Sequence, residues 1–147
     1  MYLVFIGNRH LGYNRKHAEF CAIMIDKIIS SYVERYNSLL NISSISCDTA
    51  FGKGIRDYCE EHGIKFAEFV VYFNGPRDKT EYEKAYKARH AALVDMGEEF
   101  VVVNSSRQMT LLDLMYRVRL SKKPYTFYND KGTIVEQVCA STQEEAV

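Results

Sequence analysis

The chain has 147 residues, 47% of them hydrophobic, and its 19 Lys+Arg balance 19 Asp+Glu to a formal net charge of zero. That length suits one domain with a single sheet covered by helices on both faces, and the balanced charge argues against a protein that coats duplex DNA or an acidic membrane. It leaves room for a local basic pocket holding one phosphate.

Tyr2 to Ile6 is a continuous apolar run ending at Gly7, the pattern of a central parallel strand buried on both faces. It lacks the basic flank of a signal peptide, and no apolar stretch approaches the ~20 residues that span a bilayer. From Lys16 to Tyr36 apolar residues recur at helical spacing (Cys21, Met24, Ile25, Ile28, Ile29, Tyr32). Ile42 to Cys47 is the second strand. A helix follows over Gly54 to His62, closed by Gly63. Ile64 to Tyr72 reads as the third strand, and Asn74-Gly75-Pro76-Arg77 as a turn before a charged helix over Thr80 to Met96. Phe100 to Val103 is the fourth strand. Asn104, Ser105 and Ser106 then cap a helix that runs to Leu120. Pro124 to Tyr128 is the fifth strand, with a short antiparallel extension over Thr133 to Val138 after the Asn129–Gly132 turn.

One helix per crossover predicts a Rossmann-like, doubly wound α/β domain over residues 1–140, with a mostly parallel five-stranded sheet and a flexible tail over 141–147. The four cysteines, Cys21, Cys47, Cys59 and Cys139, show no CxxC spacing and no nearby histidine pair, so no metal site is expected. Cys21 and Cys59 fall inside helices as packing thiols, and the chain reads as cytosolic and reduced.

In such sheets ligands bind outside the carboxyl ends of the strands, where strand order reverses. Four segments therefore matter. Gly7, Asn8 and Arg9 follow the first strand: the glycine admits close backbone approach, and Arg9 is either a phosphate fork or a solvated turn residue. Ser46, Cys47, Asp48, Thr49 and Gly52 lead into the second helix, where free N–H groups suit an anion or ribose hydroxyls. Asp48 either accepts from a ribose or caps its own helix; Cys47 has no evident activating base and reads as packing. Arg89 and His90 lie mid-helix among charged neighbours, which reads as a solvated face. Asn104, Ser105, Ser106 and Thr110 mark another helix start open to phosphate, with Asp113 either a dipole-stabilised acid or a ligand contact. Tyr72, Phe73, Tyr82 and Tyr86 are candidates for base stacking or for packing.

Taken together these segments resemble the SLOG superfamily, the Rossmann-like group that includes the Lonely Guy phosphoribohydrolases and several nucleotide-sensing domains. Gly7-Asn8-Arg9 stands where that group has Gly-Ser-Arg, and Ser46 to Gly52 where it has a Ser-Gly-Gly-x-x-Gly loop. Arg89-His90 matches the start of its Arg-Lys-x-x-Met segment. Asn104 to Asp113 aligns with Pro-Gly-Gly-x-Gly-Thr-x-x-Glu, so that Thr110 matches the threonine and Asp113 the catalytic glutamate; Lys123-Pro124 also fits. Here Cys47-Asp48 and Ser105-Ser106 replace glycine pairs, and Met109 replaces the glycine before Thr110.

The resemblance implies a domain that binds a nucleotide or ADP-ribose-type ligand without further cofactor: a sensor, a carrier or a virus-encoded sink for such a signal. The enzymatic alternative is cleavage of the N-glycosidic bond of a nucleoside 5′-monophosphate, Arg89 orienting the phosphoribosyl group and Asp113 stabilising the ribosyl cation or activating water. A third alternative is a non-catalytic interaction protein. The resemblance also implies a homodimer or higher homo-oligomer, and no nucleic-acid or membrane partner is expected.

Overall fold

The computed structural model describes residues 1–45, 49–70, 78–104 and 109–139. Strands β1 (Tyr2–Gly7), β2 (Asn41–Ile45), β3 (Lys65–Phe69), β4 (Glu99–Val103), β5 (Tyr125–Tyr128) and β6 (Ile134–Val138) form one sheet. Helices α1 (Arg15–Tyr36), α2 (Ala50–His62), α3 (Lys79–Met96) and α4 (Met109–Ser121) make the crossovers. The strand order is β3-β2-β1-β4-β5-β6, parallel throughout except for the β5–β6 pair. The chain winds outward from β1 to β3, returns to lay β4 against the other side of β1, and winds outward again. This is the Rossmann-like, doubly wound α/β arrangement, with the reversal of strand order between β1 and β4.

The sheet has six strands where five were expected, because the antiparallel extension is a full member of it. Asn129 makes the hairpin: its Oδ1 accepts from the N–H groups of Lys131 at 2.9 Å and Thr133 at 3.0 Å, so the chain reverses immediately after β5.

Two cores flank the sheet. Leu3, Phe5, Ile42, Val101 and Val103 face α1 and α2, whose Cys21, Met24, Ile25, Ile28, Ile29, Phe51, Ile55 and Cys59 cover them. Val4, Ile6, Phe100, Val102 and Phe127 face the other way, against Leu93 of α3 and Leu111, Leu114, Met115 and Val118 of α4. Alternation along β1 and β4 thus feeds both layers, as a strand buried on both faces requires. Cys21 and Cys59 are buried in the first core, as the helical spacing suggests.

The helix ends are specified locally. Asn14 accepts from the His17 N–H at 2.8 Å at the start of α1. Gly63, at φ 67°, closes α2 through its N–H to the Cys59 carbonyl, a left-handed cap that suits glycine. Helix α3 ends on a side chain from the far end of the next crossover: the Lys123 ammonium donates to the carbonyls of Val94, Asp95 and Gly97 at 2.7, 3.1 and 2.9 Å. All three ammonium protons are thus used where the helix dipole is negative.

Helix α2 begins at Ala50, a turn earlier than its glycines suggest. Thr49 is its N-cap, with Oγ1 accepting from the Gly52 N–H at 3.2 Å. Gly52 therefore lies inside the first turn, and its N–H is committed to the cap.

Candidate functional site

The reversal of strand order is bridged by a pair of asparagines. Asn8, directly after β1, is fully buried. Its Oδ1 accepts from the His10 N–H at 2.9 Å, and its Nδ2 donates to Asn104 Oδ1 at 3.2 Å, directly after β4. Its backbone N–H reaches the Val103 carbonyl at 2.9 Å, continuing the ladder one step beyond Gly7↔Val103. The two chain segments that open a crevice in doubly wound folds are thus held together by polar side chains. The following Arg9 is exposed.

Helix α2 is brought to the same strand end by packing. A Cβ on Gly7 would fall 2.2 Å from the Phe51 ring, so the space that the glycine leaves is occupied by that ring. This places the first turn of α2, with Thr49 and Gly52, against the end of β1. Ser46, Cys47 and Asp48, and equally Ser105 and Ser106, lie outside the described residues, as do Tyr72, Phe73 and the turn at 74–77.

On the opposite layer, α3 and α4 meet through a charged cluster. His90 Nδ1 lies 2.8 Å from Asp113 Oδ2, and Arg117 Nε donates to the same oxygen at 3.0 Å. The carboxylate beside Nδ1 holds the imidazole proton there, leaving Nε2 as the acceptor. That atom is shielded from solvent and has no hydrogen-bond partner. Neighbouring Arg89 is half-buried; its Nε is likewise shielded and unpartnered, and its guanidinium enters none of the ion pairs among the described residues. Burial pushes the Arg89 pKa down. Thr110 is half-buried in the first turn of α4, on the same layer.

Of the two residues read from sequence as a solvated helical face, one is half-buried and the other fully buried. His90 is completely buried, and the signal for it is nonlocal: its partner Asp113 comes from a different helix, 23 residues on. Arg117 was absent from the sequence reading, although its i,i+4 spacing from Asp113 on a helix is the ordinary signature of such a pair. Tyr82 and Tyr86 pack edge to face, and Tyr86 continues onto the His90 ring at 5.5 Å. The candidate residues accordingly occupy three places: Asn8 and Asn104 at the sheet, Thr49 and Gly52 on the α1–α2 layer, and Arg89, Thr110 and Asp113 on the α3–α4 layer.

Burial drives His90 below the ordinary imidazole value of 6.5, against the upward pull of Asp113. Asp113 also sits below its ordinary 3.8: desolvation pushes it up, but the hydrogen bonds from His90 and Arg117 outweigh that. Both groups bind protons less readily folded than unfolded, so stability is full above the unfolded imidazole value and declines as pH falls through the folded ones. His90 acts first, from just below pH 6.5, and Asp113 only in stronger acid. Urea unfolding at pH 7.5 and 5.5 is expected to give a lower midpoint at 5.5. His90→Asn should flatten that difference, whatever it costs in stability at either pH.

Among the described residues, no helix is long and apolar enough to cross a membrane, and no three His, Cys, Asp or Glu side chains group so as to hold a metal ion. Comparison with protein-family models, with curated proteins and with solved structures finds no match to this chain.

Proposed function

We propose that this domain binds a nucleotide or ADP-ribose-type ligand through a phosphate, with Arg89 as the principal anion contact, and acts as a sensor, carrier or sequestering protein for it. The observation that carries the reading is the state of Arg89: a guanidinium half withdrawn from water, with a shielded Nε that has no partner and no carboxylate paired to it among the described residues. Withdrawing a cation from solvent without compensation is costly, and an anionic ligand supplies the compensation. Arginine suits that task because its planar fork takes two phosphate oxygens at once. The strand order supports a ligand at the carboxyl ends of β1 and β4, and the resemblance to the SLOG superfamily supports a phosphoribosyl group there.

The phosphoribohydrolase reading has one observation in its favour. Both contacts to Asp113 fall on Oδ2, so Oδ1 is left for other work, and the lowered pKa keeps the group ionised at neutral pH. An ionised carboxylate held by one oxygen is suited to stabilise a ribosyl cation.

One set of titrations tests both. Isothermal titration with AMP, ADP-ribose and cyclic ADP-ribose should give binding with at least one of them. Arg89→Met should weaken it by about 30-fold or more, the scale of removing one partner of a desolvated charge pair. Absence of heat with all three ligands overturns the binding reading. Chromatography of the AMP samples reads the chemistry: free adenine released by the native chain and abolished by Asp113→Asn supports the hydrolase, and intact AMP removes it.

A further inference from the structure

A second feature stands on the same end of the sheet, away from Arg89. The β1–α1 connection with the start of α1, and the β5–β6 turn, line an open groove of about 510 Å³, with Tyr13, Asn14, Lys16, His17 and Phe20 from the first wall and Asp130 and Lys131 from the second. Cavities of this size hold small organic ligands.

Three aromatic rings line up along the first wall. His17 and Phe20 are nearly parallel, 7° apart at 6.5 Å, and Tyr13 meets His17 edge-on at 6.1 Å. The middle ring of the row is fixed in place. His17 Nδ1 accepts the Gly12 N–H at 3.0 Å, which pins the ring and leaves its proton on Nε2 as a donor. Yet the rings are not covered: Tyr13 is 77% exposed and Phe20 40%. Lys16 and Lys131 both line the groove, and neither ammonium enters an ion pair among the described residues. The one carboxylate in the lining, Asp130, can accept from an exocyclic amino group but cannot balance both lysines.

An aromatic row with its middle ring fixed, beside unpaired ammonium groups and a lone acceptor, fits a planar, amino-bearing heterocycle attached to an anion. We propose that this groove binds the base of a nucleoside diphosphate derivative, its ring stacked on Tyr13, with Lys16 and Lys131 flanking the adjoining phosphate. This rests on the nucleotide reading and adds to it where the base lies.

The test compares ADP-ribose with ribose 5-phosphate, which lacks a base, by isothermal titration of the native chain, Tyr13→Ala and Arg89→Met. Tyr13 is on the surface, so its replacement leaves the fold intact. The native chain should bind ADP-ribose at least tenfold more tightly than ribose 5-phosphate. Tyr13→Ala should lose about tenfold for ADP-ribose and leave ribose 5-phosphate unchanged, as expected for one base-stacking contact. Arg89→Met should weaken both. ADP-ribose binding that depends on Arg89 but stays within twofold in Tyr13→Ala overturns the groove and leaves the nucleotide reading standing. No binding of either compound by the native chain overturns both.

Discussion

Replacing Gly7 by alanine is expected to cost about 3 kcal/mol, the upper end of what overpacking a core ordinarily costs. The new Cβ would lie 2.2 Å from one Phe51 ring carbon and 2.6 and 2.7 Å from two others. None of these atoms is the free end of a flexible side chain. Phe51 is 1% exposed, is wedged edge-on against Phe5 at 5.6 Å, and sits in the first turn of α2. Relief requires either the ring to leave its site or α2 to move off the sheet. Thermal unfolding should show a fall in Tm of about 10 °C, at roughly 3 °C per kcal/mol for a chain of this size. Phe51→Ala is itself expected to cost about 3–5 kcal/mol by opening a cavity. In the double variant the two should be far from additive, because the cavity receives the methyl group; a coupling of at least 1 kcal/mol is expected. Additive losses would mean that Gly7 is needed for something other than Phe51.

Tyr32→Phe is expected to cost about 2–3 kcal/mol for a single oxygen. Glu99, at the start of β4, is only 6% exposed, and the Tyr32 hydroxyl hydrogen-bonds to its Oε2. Among the described residues the cation paired with it is Arg35, at 4.0 Å, which lies over the Tyr32 ring. Removing the hydroxyl leaves a buried carboxylate with a distant, half-exposed partner, and losing one partner of a buried charged group costs far more than the bond is worth in the intact protein. The same site pushes the Tyr32 hydroxyl pKa strongly up, first through burial and then through the Glu99 charge. Urea unfolding of Tyr32→Phe, Glu99→Gln and the pair separates the causes. The Tyr32→Phe loss should shrink in the Glu99→Gln background, because no buried charge is then stranded. An equal loss in both backgrounds would assign the effect to ring packing.

The architecture was legible because its signals are local. The unbroken apolar runs of β1 and β4, the helical spacing of Cys21 to Tyr32, and Gly63 after α2 each report on their own segment. Boundaries failed where local chemistry was ambiguous: Gly52 reads as loop ahead of a helix starting at Gly54, but the Thr49 cap and the burial of Phe51 and Ile55 extend the helix back to Ala50. Among the described residues the third strand covers Lys65–Phe69 of the expected Ile64–Tyr72 run, with Ile64 and Val70 outside it and residues 71–72 outside the described residues; as an edge strand it pairs with β2. The candidate site was legible as segments and illegible as geometry. Asn8 and Asn104 meet across 96 residues, and His90 finds its partner Asp113 on α4. Charged neighbours in sequence gave α3 the look of a solvated helix, and no property of that helix alone announces Asp113.

The position of β1 in the sheet also bears on how the chain reaches this structure. Leu3 pairs with Ile42 on one side and with Glu99 on the other, so the central strand is completed from both ends of the sequence. As the chain leaves the ribosome, β1, β2 and β3 can associate with α1 and α2 while Val4 and Ile6 still lack α3, α4 and β4 to cover them. That half-sheet presents an apolar face and an open strand edge to its surroundings, the features that invite aggregation before synthesis is complete. Pairing across so long a loop is slow. The emergence of β4 pairs the open edge of β1, and that of α4 behind it covers the face of Val4 and Ile6, so a stall between β3 and α4 leaves the most apolar surface uncovered.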